Sequence, residues 1–261
     1  MNKKIVIVTG GTGMLGERYC EALREEYTPI ALDIDLDKIE QFNDRGIPAY
    51  FCNITNEAIL LDTLEDIKMT FGDRIYGLIN NAAIDPKFDN KVGEVPKARL
   101  EVYPRTQWDY EISVGLTGAF LCTQIFGKEM LEHKEGSIIN ISSLLGVIAP
   151  NQNLYKDPNL PEDQQNVKPV TYSVIKHAII GLTRYTATYW ADKGIRCNAL
   201  APNGIYNDHP KEFVDKLTKY IPVGRMADKD EYNGAIRFLL SDESKFMTGQ
   251  TLIMDGGHSV W

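Results

Sequence analysis

Tyr172 and Lys176 stand four residues apart in YSVIK, and a phenol with an ammonium at that spacing is a candidate acid–base pair. On a helix, positions i and i+4 share a face, so both side chains reach the same place. A phenol ordinarily titrates near 10 and needs roughly 3 units of help, about 4 kcal/mol, to act as a base at neutral pH. An ammonium roughly 4 Å away supplies about that much at an effective dielectric of about 20. Taken alone such a pair is more often a surface contact, so its meaning depends on what the rest of the chain brings to it.

A second group of residues is suited to an anion. The stretch VTGGTGMLG carries glycines at 10, 11, 13 and 16, and Gly11, Gly13 and Gly16 satisfy G-x-G-x-x-G. The turn leaves an apolar strand and enters a helix, so the backbone N–H groups from Gly10, Gly11, Thr12 and Gly13 into Met14, Leu15 and Gly16 can face a pyrophosphate. Asp33 ends the next apolar run, seventeen residues after Gly16. A carboxylate there accepts from adenosine ribose hydroxyls and repels a 2′-phosphate, which points to NAD over NADP. A plain tight turn and a solvated aspartate are the bland alternative.

These groups need a scaffold, and the periodicity supplies one. Short apolar, β-branched runs recur at 4–9, 28–33, 47–52, 75–80, 136–140, 195–200 and 250–254. Helical periodicity fills 15–26, 56–71, 107–133, 172–192 and 228–240. Strands alternating with helices predict an α/β fold, a doubly wound parallel sheet with helices on both faces. Right-handed crossovers then gather the loops at the strand C-termini on the edge where such sheets bind ligands. No linker, repeat or low-complexity run divides the 261 residues, so a single domain over 1–261 is expected.

Composition narrows the partners. A formal net charge of −8 disfavours nucleic acid or an anionic membrane, leaving a small-molecule substrate. Cys20, Cys52, Cys122 and Cys197 are scattered singly, and the four histidines show no ligand spacing, so no metal site is expected. The opening MNKKIVIVTGG is too short in apolar residues for a signal peptide or membrane span. A cytoplasmic protein is expected.

Further stretches are LINNAA (78–83), NISSLLG (140–146), NALAPNG (198–204) and MTGQTLIMDGG (247–257). Together with the glycine turn and YSVIK they resemble the short-chain dehydrogenase/reductase family, in its branch of roughly 250 residues, over essentially the whole chain. The resemblance implies a Rossmann-type sheet of seven parallel strands, a nicotinamide cofactor, and hydride transfer between alcohol and ketone. It implies catalytic roles for Ser143, Tyr172 and Lys176. It extends cofactor contacts to Asp33 and Ile34, to Asn53 and Ile54, and to Asn81, Ala82 and Ala83. Pro202, Asn203, Gly204, Ile205 and Asn207 complete that set beside the nicotinamide.

The chain departs from the family pattern in places. Met14 stands where T-G-x-x-x-G-x-G has its middle glycine, and TGGTGMLG fits T-G-x-x-G-x-x-G instead, the spacing of the longer sugar-nucleotide branch. Ala83 replaces a common glycine, Asn53 an adenine-contacting aspartate, Asn203 a glycine, and Asn207 a threonine. The largest departure is Gly115, which aligns with the asparagine that holds a relay water behind the lysine. Two rival readings follow: an NAD-binding sensor or scaffold without turnover, and an epimerase or dehydratase that uses bound NAD transiently.

Ser143 and Tyr172 are 29 residues apart, and the insertion at 148–169 is expected to cover the substrate. Its amides Gln152, Asn153, Asn159, Gln164, Gln165 and Asn166 suit a polyhydroxylated ligand. A second long loop at 85–107 carries Lys87, Lys91, Lys97, Arg99 and Arg105 among carboxylates. With PNGIYNDHPKEF (202–213), the chain also resembles surface-sugar oxidoreductases, including flagellin-modification members, which implies a sugar, sugar-nucleotide or sialic-like acid substrate. Apolar residues on several faces of the helices at 107–133 and 172–192 call for more partners than one sheet face provides, and the family resemblance implies that these are met in a homodimer or homotetramer.

Overall fold

The computed structural model describes residues 3–84 and 95–260. Seven strands form as the apolar runs require: β1 Ile5–Thr9, β2 Thr28–Asp33, β3 Ala49–Phe51, β4 Ile75–Asn80, β5 Gly136–Ile141, β6 Ile195–Pro202 and β7 Thr251–Met254. They make one sheet in the order β3-β2-β1-β4-β5-β6-β7, every neighbouring pair parallel. The period-2 alternation of a strand divides β1 between two cores. Val6 and Val8 join Tyr19, Leu23, Phe42, Tyr232 and Leu239 on one face. Ile5 and Ile7 join Leu60, Ile67, Phe126, Met130 and Ala187 on the other. Each fully buried Ile or Leu stabilises by about 1.5–3 kcal/mol, so both faces must stay covered.

The covering helices are α1 Met14–Leu23, α2 Leu36–Asp44, α3 Glu57–Phe71, α4 Arg105–Ile112, α5 Ala119–His133, α6 Val170–Trp190, α7 Lys211–Leu217 and α8 Asn233–Leu240. Among the described residues, α2 and α7 are additions to the periodic segments read from sequence. Helix α2 is short and polar, and it starts where the Asp35 carboxylate accepts from Lys38 N. The run at 47–52 shortens to β3 because Pro48 lacks a donor N–H and Asn43 grips Ala49 from both sides, at 2.9 and 3.2 Å. Helix α8 begins at 233 rather than 228 because Glu231 is tied to Arg225 and to Asp228 N.

Strand β1 pairs with β2 on one side and β4 on the other, so the strand order reverses there and opens a crevice at the strand C-termini. A buried amide ladder fixes the next strands and their helices. Asn80 Nδ2 donates to Asn140 Oδ1 at 2.8 Å and to Thr123 Oγ1 of α5 at 3.0 Å, and Asn140 Nδ2 donates to Thr183 Oγ1 of α6 at 2.9 Å. The ladder joins β4 and β5 to the two helices flanking the predicted catalytic residues.

Candidate active site

The glycine turn is built by close packing. Gly10 has φ +60°, and a Cβ there would lie 2.9 Å from Ala82 Cα. A Cβ on Gly16 would lie 2.2 Å from Gly10 O, and one on Gly11 would lie 2.5 Å from Ala31 Cβ. These three glycines let α1 start directly above the end of β1. Gly13 caps α1 with extended backbone and no side-chain cap, so the first-turn N–H groups of Met14, Leu15 and Gly16 have no partner within the helix. Met14, at the position of the missing glycine, lines the crevice and is 38% exposed.

Asp33, at the end of β2, closes the far side of that crevice. Its Oδ2 accepts from Thr12 N at 3.1 Å, and its Oδ1 accepts from Ile34 N at 2.8 Å and Asp35 N at 3.4 Å. A cavity of about 420 Å³ runs past Met14, Asp33, Asn53, Asn81 and Ala82, and Gly10, Gly13, Leu15, Ile34, Ile54 and Ala83 also border it. Asn81 Nδ2 donates to Thr9 O and Gly10 O, both at 3.0 Å, and Thr9 Oγ1 accepts from Asn81 N and Ala82 N. That clamp joins the ends of β1 and β4. Asn53 Oδ1 accepts from Thr55 N and Thr55 Oγ1 at 3.1 and 2.8 Å, so its oxygen is engaged in its own turn.

Ser143, Lys176 and Tyr172 gather at the C-terminal end of β5. Lys176 is buried, and its ammonium donates to Ile141 O, the last carbonyl of β5, at 2.8 Å. Ser142 Oγ donates to Lys176 O at 2.7 Å, and a Cβ on Gly146 would meet that carbonyl at 2.5 Å, so the loop carrying Ser143 is seated directly on α6. Ser143 Oγ accepts from Leu145 N at 3.2 Å and is 8% exposed. Tyr172 is half-buried, with Lys176 Nζ 5.7 Å from its ring centroid. Lys168 Nζ, from the insertion, lies closer, at 4.0 Å.

The helix read at 107–133 is interrupted at Gly115. Residues Ser113–Gly118 form a π-helical turn between α4 and α5, a feature associated with functional sites. A Cβ on Gly115 would lie 2.8 Å from Ile175 Cγ2 and 3.1 Å from its Cδ1, so Ile175 fills the space of the absent side chain. One turn earlier lies a buried carboxylate that sequence reading passed over. Glu111, 2% exposed, accepts from Tyr103 OH at 2.9–3.0 Å, from Gln107 Nε2 at 2.5 Å and from Thr171 Oγ1. Burial, partly offset by the Thr171 hydroxyl and reinforced by the Glu111 carboxylate, pushes the Tyr103 phenol up to about 12. The available signal was spacing: Glu111 and Gly115 fall on the helix face that meets Thr171 and Ile175, again four apart.

Other predicted positions lie elsewhere. Asn203 donates to Asp255 O at 2.9 Å and accepts from Gly204 N at 2.7 Å, borders a different cavity, and so braces the end of β6. Pro202 is the last residue of β6, Ile205 bridges to Ala227, and Asn207 borders a surface hollow with Arg18. Within the insertion, Gln165 binds Asp157 N, Asp157 O and Leu160 O, and Gln152 binds Lys168 N and O. Asn159 donates to Asp157 Oδ1. These amides fold the loop. Lys87 and Lys91 of the other loop lie outside the described residues, and its Arg99 donates to Glu162 O at 2.7 Å, joining the two insertions. Among the described residues no cluster of His, Cys, Asp or Glu could hold a metal ion. No helix among them is long and apolar enough to cross a membrane.

The sheet, the glycine turn and the tyrosine–lysine pair define a nucleotide-dependent oxidoreductase. A family model described as short chain dehydrogenase matches residues 4–156, and one described as Enoyl-(Acyl carrier protein) reductase matches residues 163–259. A 3-oxoacyl-[acyl-carrier-protein] reductase FabG of Thermotoga maritima is 30% identical, covering 97% of each chain. The structure of an NAD+-bound xylitol dehydrogenase superimposes with a TM-score of 0.83 at 27% identity, covering 98% of this chain and 99% of that one. A gluconate 5-dehydrogenase of Burkholderia cenocepacia, in complex with NADP and tartrate, gives 0.82 at 26% identity, covering 100% and 97%. The chain belongs to the short-chain dehydrogenase/reductase family and is an NAD(P)-dependent alcohol dehydrogenase or ketone reductase.

Proposed function

We propose that the enzyme interconverts a secondary alcohol and a ketone on a sugar, sugar nucleotide or sialic-like acid, with NAD as its coenzyme. The observation that carries the catalytic reading is the gathering of Ser143, Tyr172 and Lys176 at the end of β5, on the sheet edge where the glycine turn also opens. The crevice fits a dinucleotide: Gly10 and Gly13 border it without side chains, the first turn of α1 offers N–H groups, and Asp33 presents a carboxylate held by three backbone amides. Nicotinamide, when bound, supplies or accepts the hydride. Tyr172 then exchanges a proton with the substrate oxygen, Ser143 donates to that oxygen as charge develops, and Lys176 steadies the phenolate and holds the nicotinamide ribose.

The polyhydroxylated substrate is supported by the kinship with xylitol and gluconate dehydrogenases and by the two joined insertions beside Tyr172. The test follows reduced-nicotinamide absorbance with polyols, sugar acids, nucleotide sugars and sialic-like acids. Turnover of sugars is expected, and far faster turnover of sterols or acyl thioesters would overturn the reading. Ile175 in the place of the relay side chain favours one second reading, an NAD-binding sensor. NAD binding without turnover of any compound would support the sensor.

The enzyme is also proposed to be a homodimer or homotetramer. Phe120 on α5 and Val174, Tyr185 and Tyr189 on α6 are exposed, and the last two rings stack at 5.7 Å. A light-scattering mass near the 29.4 kDa of one chain would refute this.

A further inference from the structure

Among the described residues only two carboxylate side chains are buried, those of Glu111 and Asp255. Asp255 is satisfied by its own turn, accepting from Gly257 N at 2.9 Å and Ser259 N at 2.7 Å. Glu111 instead gathers side chains from three segments. It accepts from Tyr103 OH ahead of α4, from Gln107 Nε2 within α4, and from Thr171 Oγ1 in the first turn of α6. Tyr103 OH also lies 2.9 Å from Thr171 Oγ1, which closes a triangle of carboxylate, phenol and hydroxyl. Thr171 is wholly buried and directly precedes Tyr172. Pro169 caps α6 without a side-chain hydrogen bond, so the turn that carries Tyr172 has no capping side chain of its own. Helix ends of that kind fray.

A buried carboxylate is costly, and an apolar side chain of similar size often serves stability as well. What Glu111 adds is direction. Its bond with Thr171 ties α4 to α6 one residue ahead of Tyr172, and Ile175 fills the space beside Gly115 one turn further along both helices. Tyr172 is therefore bracketed by two contacts with the same neighbouring element. We propose that Glu111 is a positioning residue for the proton transfer: acting through Thr171, it fixes the first turn of α6 and so holds the Tyr172 phenol in register with Lys176. The inference rests on the reading of Tyr172 as the proton-exchanging group. Such chemistry tolerates little displacement, and a shift of about 1 Å can cost on the order of 100-fold in rate.

The test uses the whole enzyme labelled with fluorotyrosine and followed by fluorine NMR, where the resonance missing from Tyr172→Phe reports that ring. Wild type and Thr171→Ser, which keep the hydroxyl, should share one Tyr172 resonance. In Thr171→Val and Glu111→Leu it should move or split. On the compound that turns over fastest in the absorbance screen, both variants should lose on the order of 10- to 100-fold in kcat, with KM and NAD affinity within about threefold. The double variant should lose no more than the worse single one, because both act through one bond. If no compound turns over, the resonance alone decides. A purely structural role predicts lowered melting temperatures with an unmoved Tyr172 resonance. That result, or a resonance unmoved in Thr171→Val whatever the turnover, overturns the proposal. A displaced resonance restored by serine, with turnover that survives Tyr172→Phe, upholds the anchor and defeats the catalytic reading of Tyr172. Turnover lost in Tyr172→Phe, with the resonance unmoved in Thr171→Val and Glu111→Leu, does the reverse.

Discussion

Gly115 and Ile175 form a pair whose coupling can be measured. In Gly115→Ala the new Cβ meets Ile175 Cγ2 at 2.8 Å and Cδ1 at 3.1 Å. Overpacking of this kind costs about 1–3 kcal/mol, while replacing a helical glycine returns about 1 kcal/mol. The single variant should therefore be destabilised by roughly 0–2 kcal/mol. Ile175→Ala removes a buried side chain that packs with Ala119 and Ile179, a loss of about 2–5 kcal/mol. In the double variant the alanine at 115 no longer meets a branched side chain, so the overpacking vanishes and a favourable coupling of about 1–3 kcal/mol remains. Urea unfolding of the four proteins at one protein concentration gives the cycle. A Gly115→Ala protein more stable than wild type, with an additive double variant, would refute the claim that Ile175 occupies the asparagine's space.

Asp33→Ser should raise the kcat/KM ratio of NADP over NAD on the order of 100-fold, because a carboxylate facing a 2′-phosphate is repelled by a few kcal/mol; a change below threefold in initial rates would contradict the assignment. Burial raises Tyr27, Tyr103 and Tyr232 to about 12 and Tyr19 higher still. A raised pKa gives a contribution to stability that is complete below the unfolded value near 10 and is lost as pH climbs towards the folded one. At least these four of the thirteen tyrosines should therefore stay un-ionised at pH 11 while the protein is folded, and stability should fall from pH 10 upward. Complete, reversible titration of all thirteen by pH 11, followed by phenolate absorbance, would be the contrary result.

The strands were legible because a doubly covered parallel sheet needs continuous apolar runs, as in IVIVT and GSIINI. The Tyr172–Lys176 pair was legible because a helix places i and i+4 together. Helix α2 was hidden by its polar composition, and β3 was overextended because the apolar run includes Pro48. The π-helical turn lies where Gly115 faces Ile175 of α6, a juxtaposition of distant segments that no local pattern carries. Glu111 and Lys168 were missed for the same reason, since their partners Tyr103, Thr171 and Tyr172 are supplied by tertiary contact. The amides at Gln152 and Gln165 were read as ligand contacts because composition cannot tell a residue that binds a ligand from one that folds its own loop.

The central claim is that Tyr172 exchanges the substrate proton beside a nicotinamide held by the glycine turn. Its most direct test compares wild type with Tyr172→Phe by NADH absorbance and by NAD binding. Loss of a single acid–base group should lower turnover by on the order of 10²–10⁴-fold, while NAD affinity changes less than about threefold because the glycine turn and Asp33 are untouched. Turnover within about threefold of wild type in Tyr172→Phe would contradict the account.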